Sequence, residues 1–520
     1  MFAVDVPSKS LLFRHADPLA IREALPKSKL LAHADYNVAV KHTLDATRVL
    51  RNLGIPAPAP IRYNYTWPGK FRPHAHQVEM AEFLTLHKKC FNLSEMGTEK
   101  TASSLWAADW LMTNGYVRKA LILAPLSALD RTWLNEIFGV LMHRNAGILH
   151  GSRARRLQVL AADLDFYVIN HDGLSIGAVH KALMARPDID LVIVDEASAY
   201  INAGIDRYKA LNKLVQGDKR VWMMTGTPTP NYPTDAWALA RMVSPWRVPA
   251  HFGAFKDKTM QRLSQFKWAP RPEATQIVFN ALQPAVRFAK KDCIDLPPVT
   301  VEDRTCPLTP EQTKALDTMR KEMKAQLQEN QVTAVNAADK INKIRQILCG
   351  AVRDPISGQY IVLPHKPRLD VVRECIQQAA AKVLVIVPFK GIIQSLAEEL
   401  SKEYTIGVLN GDVSMTKRNQ IIKDFKTTPA PHVLLCHPQV MAHSLNLTEA
   451  DTCVFYAPIY SNDQAQQVVE RFNRSGQTRK MTVVRIGGHK LEWEIYSLIE
   501  SRRLGQQKML DLYREVAGGM

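Results

Sequence analysis

The sequence predicts an α/β protein of two tandem doubly wound parallel-sheet lobes, joined by a helical connector and preceded by a small N-terminal element. Three observations lead there. The chain has 520 residues, room for roughly two to four domains. Short apolar runs, each followed by loop residues and a helical pattern, fall into two separated sets. The first set contains a strand, a tight loop, a Lys-Thr pair and a helix start in immediate succession. Composition agrees, since 46% hydrophobic and 22% charged residues describe an ordinary globular chain and argue against a disordered or fibrous one.

In chain order, residues 1–60 form a small accessory element ending in the Pro-Ala-Pro-Ala-Pro run at 56–60, which reads as a stiff extended spacer. Residues 61–250 make the first lobe, with strands at Cys90–Leu93, Ala120–Leu123, Leu191–Val194 and Val221–Met224. Such runs, bounded by turn residues, match strands buried on both faces of a parallel sheet. Residues 251–365 are a helical connector, punctuated by Leu296-Pro297-Pro298 and Leu308-Thr309-Pro310 before a Pro- and Gly-free helical stretch from Glu311 to Asn330. Residues 366–520 make the second lobe, with strands at Val383–Val387, Ile406–Leu409, His432–Leu435, Cys453–Tyr456 and Thr482–Arg485. In doubly wound sheets ligands sit beyond the carboxyl ends of the strands, so the site is expected there and in the cleft between lobes.

Lys plus Arg total 67 against 50 Asp plus Glu, a net charge of +17, which suits a polyanionic partner, nucleic acid first among them. The seven cysteines (90, 293, 306, 349, 375, 436 and 453) show no C-x-x-C pair and no zinc-like spacing, and read as reduced thiols of a cytoplasmic protein. No apolar stretch approaches the ~20 residues of a membrane span. The amino terminus lacks the pattern of an export signal, so no membrane association is expected.

Glu95-Met96-Gly97-Thr98-Glu99-Lys100-Thr101 follows the first strand and runs into a helical stretch from Ala102 to Met112. This is a phosphate cradle: backbone N–H groups of Met96, Gly97, Thr98 and Glu99 and the helix amino end bind phosphate oxygens. Lys100 reaches the terminal phosphates, and Thr101 offers a hydroxyl to the magnesium ion bridging them. Taken alone the heptapeptide fits an ordinary strand–helix turn equally well. Glu99 stands where the usual pattern has Gly, placing a carboxylate beside triphosphate.

Asp195 and Glu196 close the strand Leu191–Val194. Asp195 fits the metal side, and Glu196 fits the orienting or general-base role toward attacking water. Adjacent strand residues point to opposite faces, so the chain must turn here for both to serve one site. Thr225-Gly226-Thr227 ends the next strand, a loop suited to sensing the nucleotide and transmitting its state. In the second lobe Gln467, Arg471 and Arg474 are spaced i, i+4, i+7, so on a helix they share one stripe. Two guanidinium groups so placed make an arginine-finger device for the γ-phosphate.

The order of these motifs resembles superfamily-two helicases and, within them, the Swi/Snf-type DNA translocases, of the compact viral or bacterial kind. Phe71-Arg72-Pro73-His74-Ala75-His76-Gln77 looks like the family's adenine-reading segment, which implies that Gln77 contacts adenine. Ala124-Pro125-Leu126-Ser127, followed by Trp133, resembles its strand-gripping motif. Ala281 to Arg287, Leu296-Pro297-Pro298, Leu308 to Gln312 and Lys343 to Leu348 are similar to the stretch these translocases carry between lobes. Val387-Pro388-Phe389, Asn410-Gly411-Asp412 and His443-Ser444-Leu445-Asn446-Leu447-Thr448 follow in family order. The resemblance implies RecA-like lobes, ATP and Mg2+ as cofactors, and Ser127, Arg287, Phe389 and Asn446 on DNA. Four positions depart from the pattern: Glu99 for Gly, Ser198 for His, Ile201 for Lys and Ser444 for Gly.

The expected function is an ATP-driven double-stranded DNA translocase, a DNA-dependent ATP hydrolase that contacts mainly phosphates and works as a monomer at the nucleoid. RNA polymerase or replication proteins are further partners. Two alternatives stand beside it: a hydrolysis-impaired ATP-binding protein that holds DNA or a polymerase, and a strand-separating or annealing helicase.

Overall fold

The computed structural model describes residues 2–5, 7–69, 71–263, 268–293, 296–328, 334–354, 357–441, 446–459, 462–474 and 476–497. Tertiary contacts divide these into two units, meeting in sequence at 294/295.

The first unit opens with a four-stranded antiparallel sheet: β1 (Phe2–Asp5), β2 (Ser10–Phe13), β3 (Lys29–Leu30) and β4 (Val38–Lys41), in the order β1-β2-β4-β3. With the helices Pro18–Ala24 and Leu44–Asn52 it encloses a small core of Leu11, Phe13, Ile21, Val38, Val40 and Leu50. The Pro-Ala run that follows is not the free spacer its composition suggests. Ala57 and Ala59 are fully buried. Alternating Ala lets the extended backbone lie flat, and proline leaves only carbonyls to satisfy. Arg51 donates to the Ala57 carbonyl, and Thr47 and His42 hydrogen-bond the Pro58 carbonyl. Glu82 accepts the Ala59 N–H at 2.7 Å, strapping the run to the lobe behind it.

That lobe is built on β5 (Lys89–Asn92), β6 (Lys119–Ala124), β7 (Ala146–Ile148), β8 (Phe166–Asn170), β9 (Ile189–Val194) and β10 (Arg220–Met224). A small hairpin, β11 (Met260–Arg262) with β12 (Trp268–Pro270), precedes β13 (Ala285–Val286), which completes the sheet. Its seven strands run parallel in the order β13-β5-β10-β9-β6-β8-β7. Alternate residues divide between two cores. Leu121, Leu123, Val192, Val194 and Met223 face one side, and Ala120, Ile122, Leu191, Ile193 and Trp222 face the other. Burial on both faces is why these strands read as unbroken apolar runs.

In the second unit, β14 (Val299–Thr305), a hairpin of β15 (Ala351–Arg353) and β16 (Tyr360–Val362), and the strands β17 (Lys382–Ile386), β18 (Ile406–Leu409), β19 (Val433–Cys436), β20 (Ala450–Phe455) and β21 (Met481–Gly487) follow in turn. Six of them form a parallel sheet, β14-β21-β20-β17-β19-β18. Val383 and Val385 face one core, Leu384 and Ile386 the other. Arg368 and Glu492 form a buried, two-pronged ion pair at 2.9 and 2.7 Å beneath the Tyr456 carbonyl.

The segment 251–365, expected to be one connector, is divided in the structure. Its first part belongs to the first unit, because β13 pairs with β5. Its later part belongs to the second, because β14 pairs along its whole length with β21. The helices Pro310–Gln328 and Ala334–Cys349 follow β14. Of the expected helical stretch Glu311 to Asn330, residues 311–328 lie in the helix Pro310–Gln328, and residues 329 and 330 lie outside the described residues. No helix among the described residues is long and apolar enough to cross a membrane.

Candidate active site

Strand order gathers the motifs of the first lobe. β5, β10, β9 and β6 are consecutive neighbours, about 4.8 Å apart. The loops leaving their carboxyl ends are therefore adjacent although they lie far apart in sequence. They carry Glu95–Thr101, Thr225–Thr227, Asp195-Glu196 and Leu126-Ser127 respectively.

The phosphate loop turns through two left-handed residues, Gly97 at φ +81° and Glu99 at φ +55°. Lys100 then begins the helix Lys100–Thr113. The Thr98 hydroxyl donates to the Glu95 carbonyl at 2.8 Å, and the Lys100 ammonium donates to the carbonyls of Ser94 (2.6 Å) and Glu95 (3.2 Å). The Glu95 carboxylate anchors the loop from outside. It accepts from the Arg287 guanidinium and from the Lys290 N–H, each at 2.9 Å. The Glu95 N–H donates to the Phe288 carbonyl at 3.0 Å, and the Phe288 N–H to the Ser94 hydroxyl at 3.1 Å. A Cβ on Gly97 would meet Lys290 Cε at 3.2 Å, so the bare backbone makes this fit.

His76 supports the same loop. Its Nε2 hydrogen-bonds the Thr98 carbonyl at 3.2 Å, and its ring lies 5.9 Å from that of Phe288. Burial lowers its pKa, keeping the imidazole neutral. Gln77 is buried one residue on, its Oε1 accepting the His74 N–H at 2.9 Å at the start of the helix Ala75–Leu86.

Asp195 is held at both oxygens: the Trp133 indole donates to Oδ2 at 3.0 Å, and the Glu196 N–H to Oδ1 at 3.1 Å. Burial raises its pKa, opposed by the Trp133 hydrogen bond and by the Lys100 ammonium. The Lys100 effect puts the two strand ends in one electrostatic site. Glu196 has φ +49°, so the chain turns between the two carboxylates, as it must if both are to serve one site. The Thr225 hydroxyl accepts the Thr227 N–H at 3.1 Å, and the Thr225 N–H donates to the Asn92 carbonyl at 3.1 Å. A Cβ on Gly226 would stand 3.5 Å from the Met96 nitrogen, so this loop packs on the phosphate loop. Thr101 is half-buried in the first turn of its helix. Among the described residues no cluster of three His, Cys, Asp or Glu side chains could hold a metal alone. Thr101 and Asp195, the pair expected to hold magnesium, each offer a hard oxygen donor of the kind that suits that ion.

The strand-gripping candidates separate. Ser127 lies on the turn Leu126–Ala128, its hydroxyl oxygen buried without a hydrogen-bond partner among the described residues. Arg287, assigned to DNA by resemblance, is in the structure a phosphate-loop residue: its side chain is 2% exposed in its pair with Glu95. Trp133, read with the strand-gripping motif, is fully buried on Asp195.

In the second unit the arginine stripe is not helical. The helix spans Asn462–Val469 and carries the buried Gln467, but Arg471 and Arg474 lie on the turns beyond it. Beyond Val469 the N–H groups of Arg471 and Phe472 bond back only three residues, to the Val468 and Val469 carbonyls at 3.1 and 3.3 Å, so the four-residue α-helical pattern breaks at these two residues. The Arg471 carbonyl accepts the Leu447 N–H at 2.8 Å, and the Phe472 carbonyl accepts the Gln477 side-chain amide at 3.2 Å. The Arg471 guanidinium donates to the Met441 carbonyl at 3.1 Å. Phe389 lies under the Arg345 guanidinium, 5.2 Å from ring centre to Cζ, and Asn446 Oδ1 accepts the Thr448 N–H at 3.3 Å. Ser444 lies outside the described residues.

Sequence reasoning missed His76 and Glu95 as loop supports. Both lie inside segments it had singled out, but neither shows its partner in the sequence, because Thr98 and Arg287 are 22 and 192 residues away.

Residues 76–354 match the SNF2-related domain, and residues 367–476 match the helicase conserved C-terminal domain. The chain is 25% identical over 427 residues to protein p41 of Acyrthosiphon pisum secondary endosymbiont phage 1, covering 79% of this chain and 90% of that one. It is 24% identical over 400 residues to an uncharacterized ATP-dependent helicase of Mycoplasma genitalium, covering 75% of this chain and 37% of that one. It is 23% identical over 427 residues to the ATP-dependent DNA helicase DDM1 of Arabidopsis thaliana, covering 75% and 55%. Among solved structures it is similar to the Sulfolobus solfataricus SWI2/SNF2 ATPase core in complex with dsDNA, at 19% identity and TM-score 0.41, covering 86% of this chain and 94% of that one.

Proposed function

Because this chain belongs to the SNF2-related family, whose domain it matches over more than half its length, we propose that it is a DNA-dependent ATPase that moves along duplex DNA. The observation carrying this reading is the convergence of Lys100, Asp195-Glu196 and Thr225-Thr227 at the ends of three adjacent strands. Lys100, at the amino end of its helix, binds the terminal phosphates; the loop amides and the helix end contribute further positive potential. Gln77 and the segment before it read the adenine. Thr101 and Asp195 would hold magnesium, which would supply charge neutralisation at the phosphates. Glu196 orients the attacking water and takes its proton. Thr225 and Thr227, packed on the phosphate loop, sense whether it is filled. Arg471 and Arg474 are the second lobe's contribution to γ-phosphate charge, presented on turns rather than on a helix. Ser127, Phe389 and Asn446 contact the DNA backbone.

A second reading has its own observation. Glu99 occupies a left-handed position inside the loop, where its carboxylate opposes the charge of bound triphosphate, so a chain that binds nucleotide with little turnover is the alternative. Phosphate release with and without duplex DNA decides between them: stimulation supports the motor, and nucleotide binding without turnover supports the alternative. Triplex displacement beside forked-duplex unwinding then separates a translocase from a strand-separating helicase. Unwinding without displacement overturns the translocase reading.

A further inference from the structure

We propose that Trp133 is a positioning residue for Asp195, linking that carboxylate to the segment Leu126–Ala128 at the mouth of the neighbouring strand. The inference rests on the reading of Asp195 as the metal-side carboxylate. Three features carry it.

The first is geometry. The indole N–H lies 3.0 Å from Oδ2 while the Glu196 N–H lies 3.1 Å from Oδ1. Each carboxylate oxygen therefore has one fixed donor, and turning the group breaks both contacts. The remaining lone pairs stay available to a cation.

The second is rigidity. Trp133 is fully buried in the same core as Ala124, Ala128 and Ile193. An indole wedged this way cannot follow the carboxylate; the carboxylate must follow the indole. Partners that orient a metal ligand from behind typically change metal affinity 10–100-fold when removed.

The third is the path. Trp133 lies in a six-residue π-helical turn, Leu129–Leu134, a rare conformation concentrated at functional sites. That turn follows directly on Leu126–Ala128, whose Leu126 side chain is 55% exposed and whose Ala128 N–H closes back on the Pro125 carbonyl at 2.8 Å. Displacing Leu126–Ala128 moves the turn, the turn moves the indole, and the indole reorients Asp195. DNA binding at this segment thereby changes how well a cation binds beside the nucleotide.

The test measures Mn2+ binding with ADP, by electron paramagnetic resonance of the free ion, with no turnover involved. Trp133→Phe keeps the ring and removes the donor. It should weaken Mn2+ binding to the ADP complex about tenfold, leave ADP binding without metal within twofold, and abolish the effect of duplex DNA on Mn2+ affinity. Trp222→Phe is the control: Trp222 is equally buried, and its indole donates to the His87 carbonyl at 3.2 Å. It should lose stability but not metal affinity. Mn2+ affinity of Trp133→Phe within twofold of the native chain overturns the inference, as does an equal loss in Trp222→Phe. If the native chain with ADP binds no Mn2+, the assignment of Asp195 falls first and the inference with it. Hydrogen exchange of the native chain covers the case of a misfolded variant: amides of residues 129–135 should slow when Mn2+ is added to the ADP complex, and unchanged exchange overturns the link.

Discussion

Replacing Glu99 by Gly tests the least usual residue of the phosphate loop. Glu99 sits at φ +55°, ψ +44°, immediately before the helix Lys100–Thr113. A left-handed non-glycine residue costs about 1 kcal/mol relative to Gly, so the substitution relieves strain of that size. Two losses oppose it: Gly adds about 0.5–1 kcal/mol of unfolded-chain entropy, and a carboxylate at a helix amino end contributes about 0.3–1 kcal/mol. Stability should therefore stay within about 1 kcal/mol of the native chain. Nucleotide affinity should not. Glu99 is half-buried, and an effective dielectric of about 40, between the ~20 of a protein surface and the ~80 of water, is taken for its charge. At about 6 Å from a phosphate charge the repulsion is then about 1.4 kcal/mol, a factor of ten. Salt screening at physiological strength, with a Debye length of about 8 Å, reduces this to roughly three- to tenfold. The assay is ATP and ADP affinity of both chains at low and high salt, with thermal melts alongside. Glu99→Gly should bind ATP more tightly, gain less for ADP, and lose most of the gain at high salt. Equal ATP affinity at low salt refutes the electrostatic argument. An inactive native chain beside a hydrolysing Gly variant would show that the motor reading fails for the chain as it stands.

Lys100→Ala should abolish ATP dependence while leaving salt-sensitive DNA binding intact; equal loss of both would mean the loop is misassigned. The Arg368–Glu492 pair is 3% and 1% exposed, so removing one partner leaves a buried, uncompensated group. Glu492→Gln should lower stability by about 3–5 kcal/mol in urea titration, and a loss below 1 kcal/mol would contradict that account. His171, whose Nδ1 lies 3.1 Å from the Tyr200 hydroxyl, has its pKa lowered by burial to about 4. Unfolded, it titrates near 6.5, so between these values the unfolded chain binds more protons and acidification destabilises the fold. The loss should approach about 3 kcal/mol by pH 4. His171→Gln should flatten the pH dependence of the urea midpoint between pH 7 and 4.5, and an unchanged slope would show that His171 does not titrate as described.

The central strands were legible because burial on both faces leaves a continuous apolar run, as at Leu191–Val194. β7 and β13 were not: Ala146-Gly147-Ile148 and Ala285-Val286 are too short to carry a period. The positions of Lys100, Asp195 and Thr225 at strand ends followed from the same runs, since a loop after a strand of known direction has one place to be. The end of the arginine helix could not be read. Nothing local between Val469 and Arg474 stops a helix; the N–H groups of Arg471 and Phe472 turn to carbonyls three residues back, and the turn they make is held by Gln477 and by Leu447, which comes from a different part of the chain. The Pro-Ala run failed for a related reason. Its composition specifies an extended backbone, but burial depends on Glu82 and Arg51 meeting it.

Arg287 connects these points to the motor. A guanidinium in a strongly basic chain invites assignment to DNA, yet this one is spent on Glu95 inside the phosphate loop. The strand before it is laced to β5 by the Pro284 and Val286 carbonyls, which accept from Phe91 and Leu93 at 3.0 and 2.8 Å. Within a few residues the chain leaves the first unit, at 294/295, and enters β14 of the second. The pair that holds Glu95 therefore lies on the stretch of chain just before the boundary between the two units. A loop supported only by local contacts would have no tie to the far sequence; the Glu95–Arg287 ion pair instead binds it to a residue 192 positions away, on the stretch of chain that leads to the second unit.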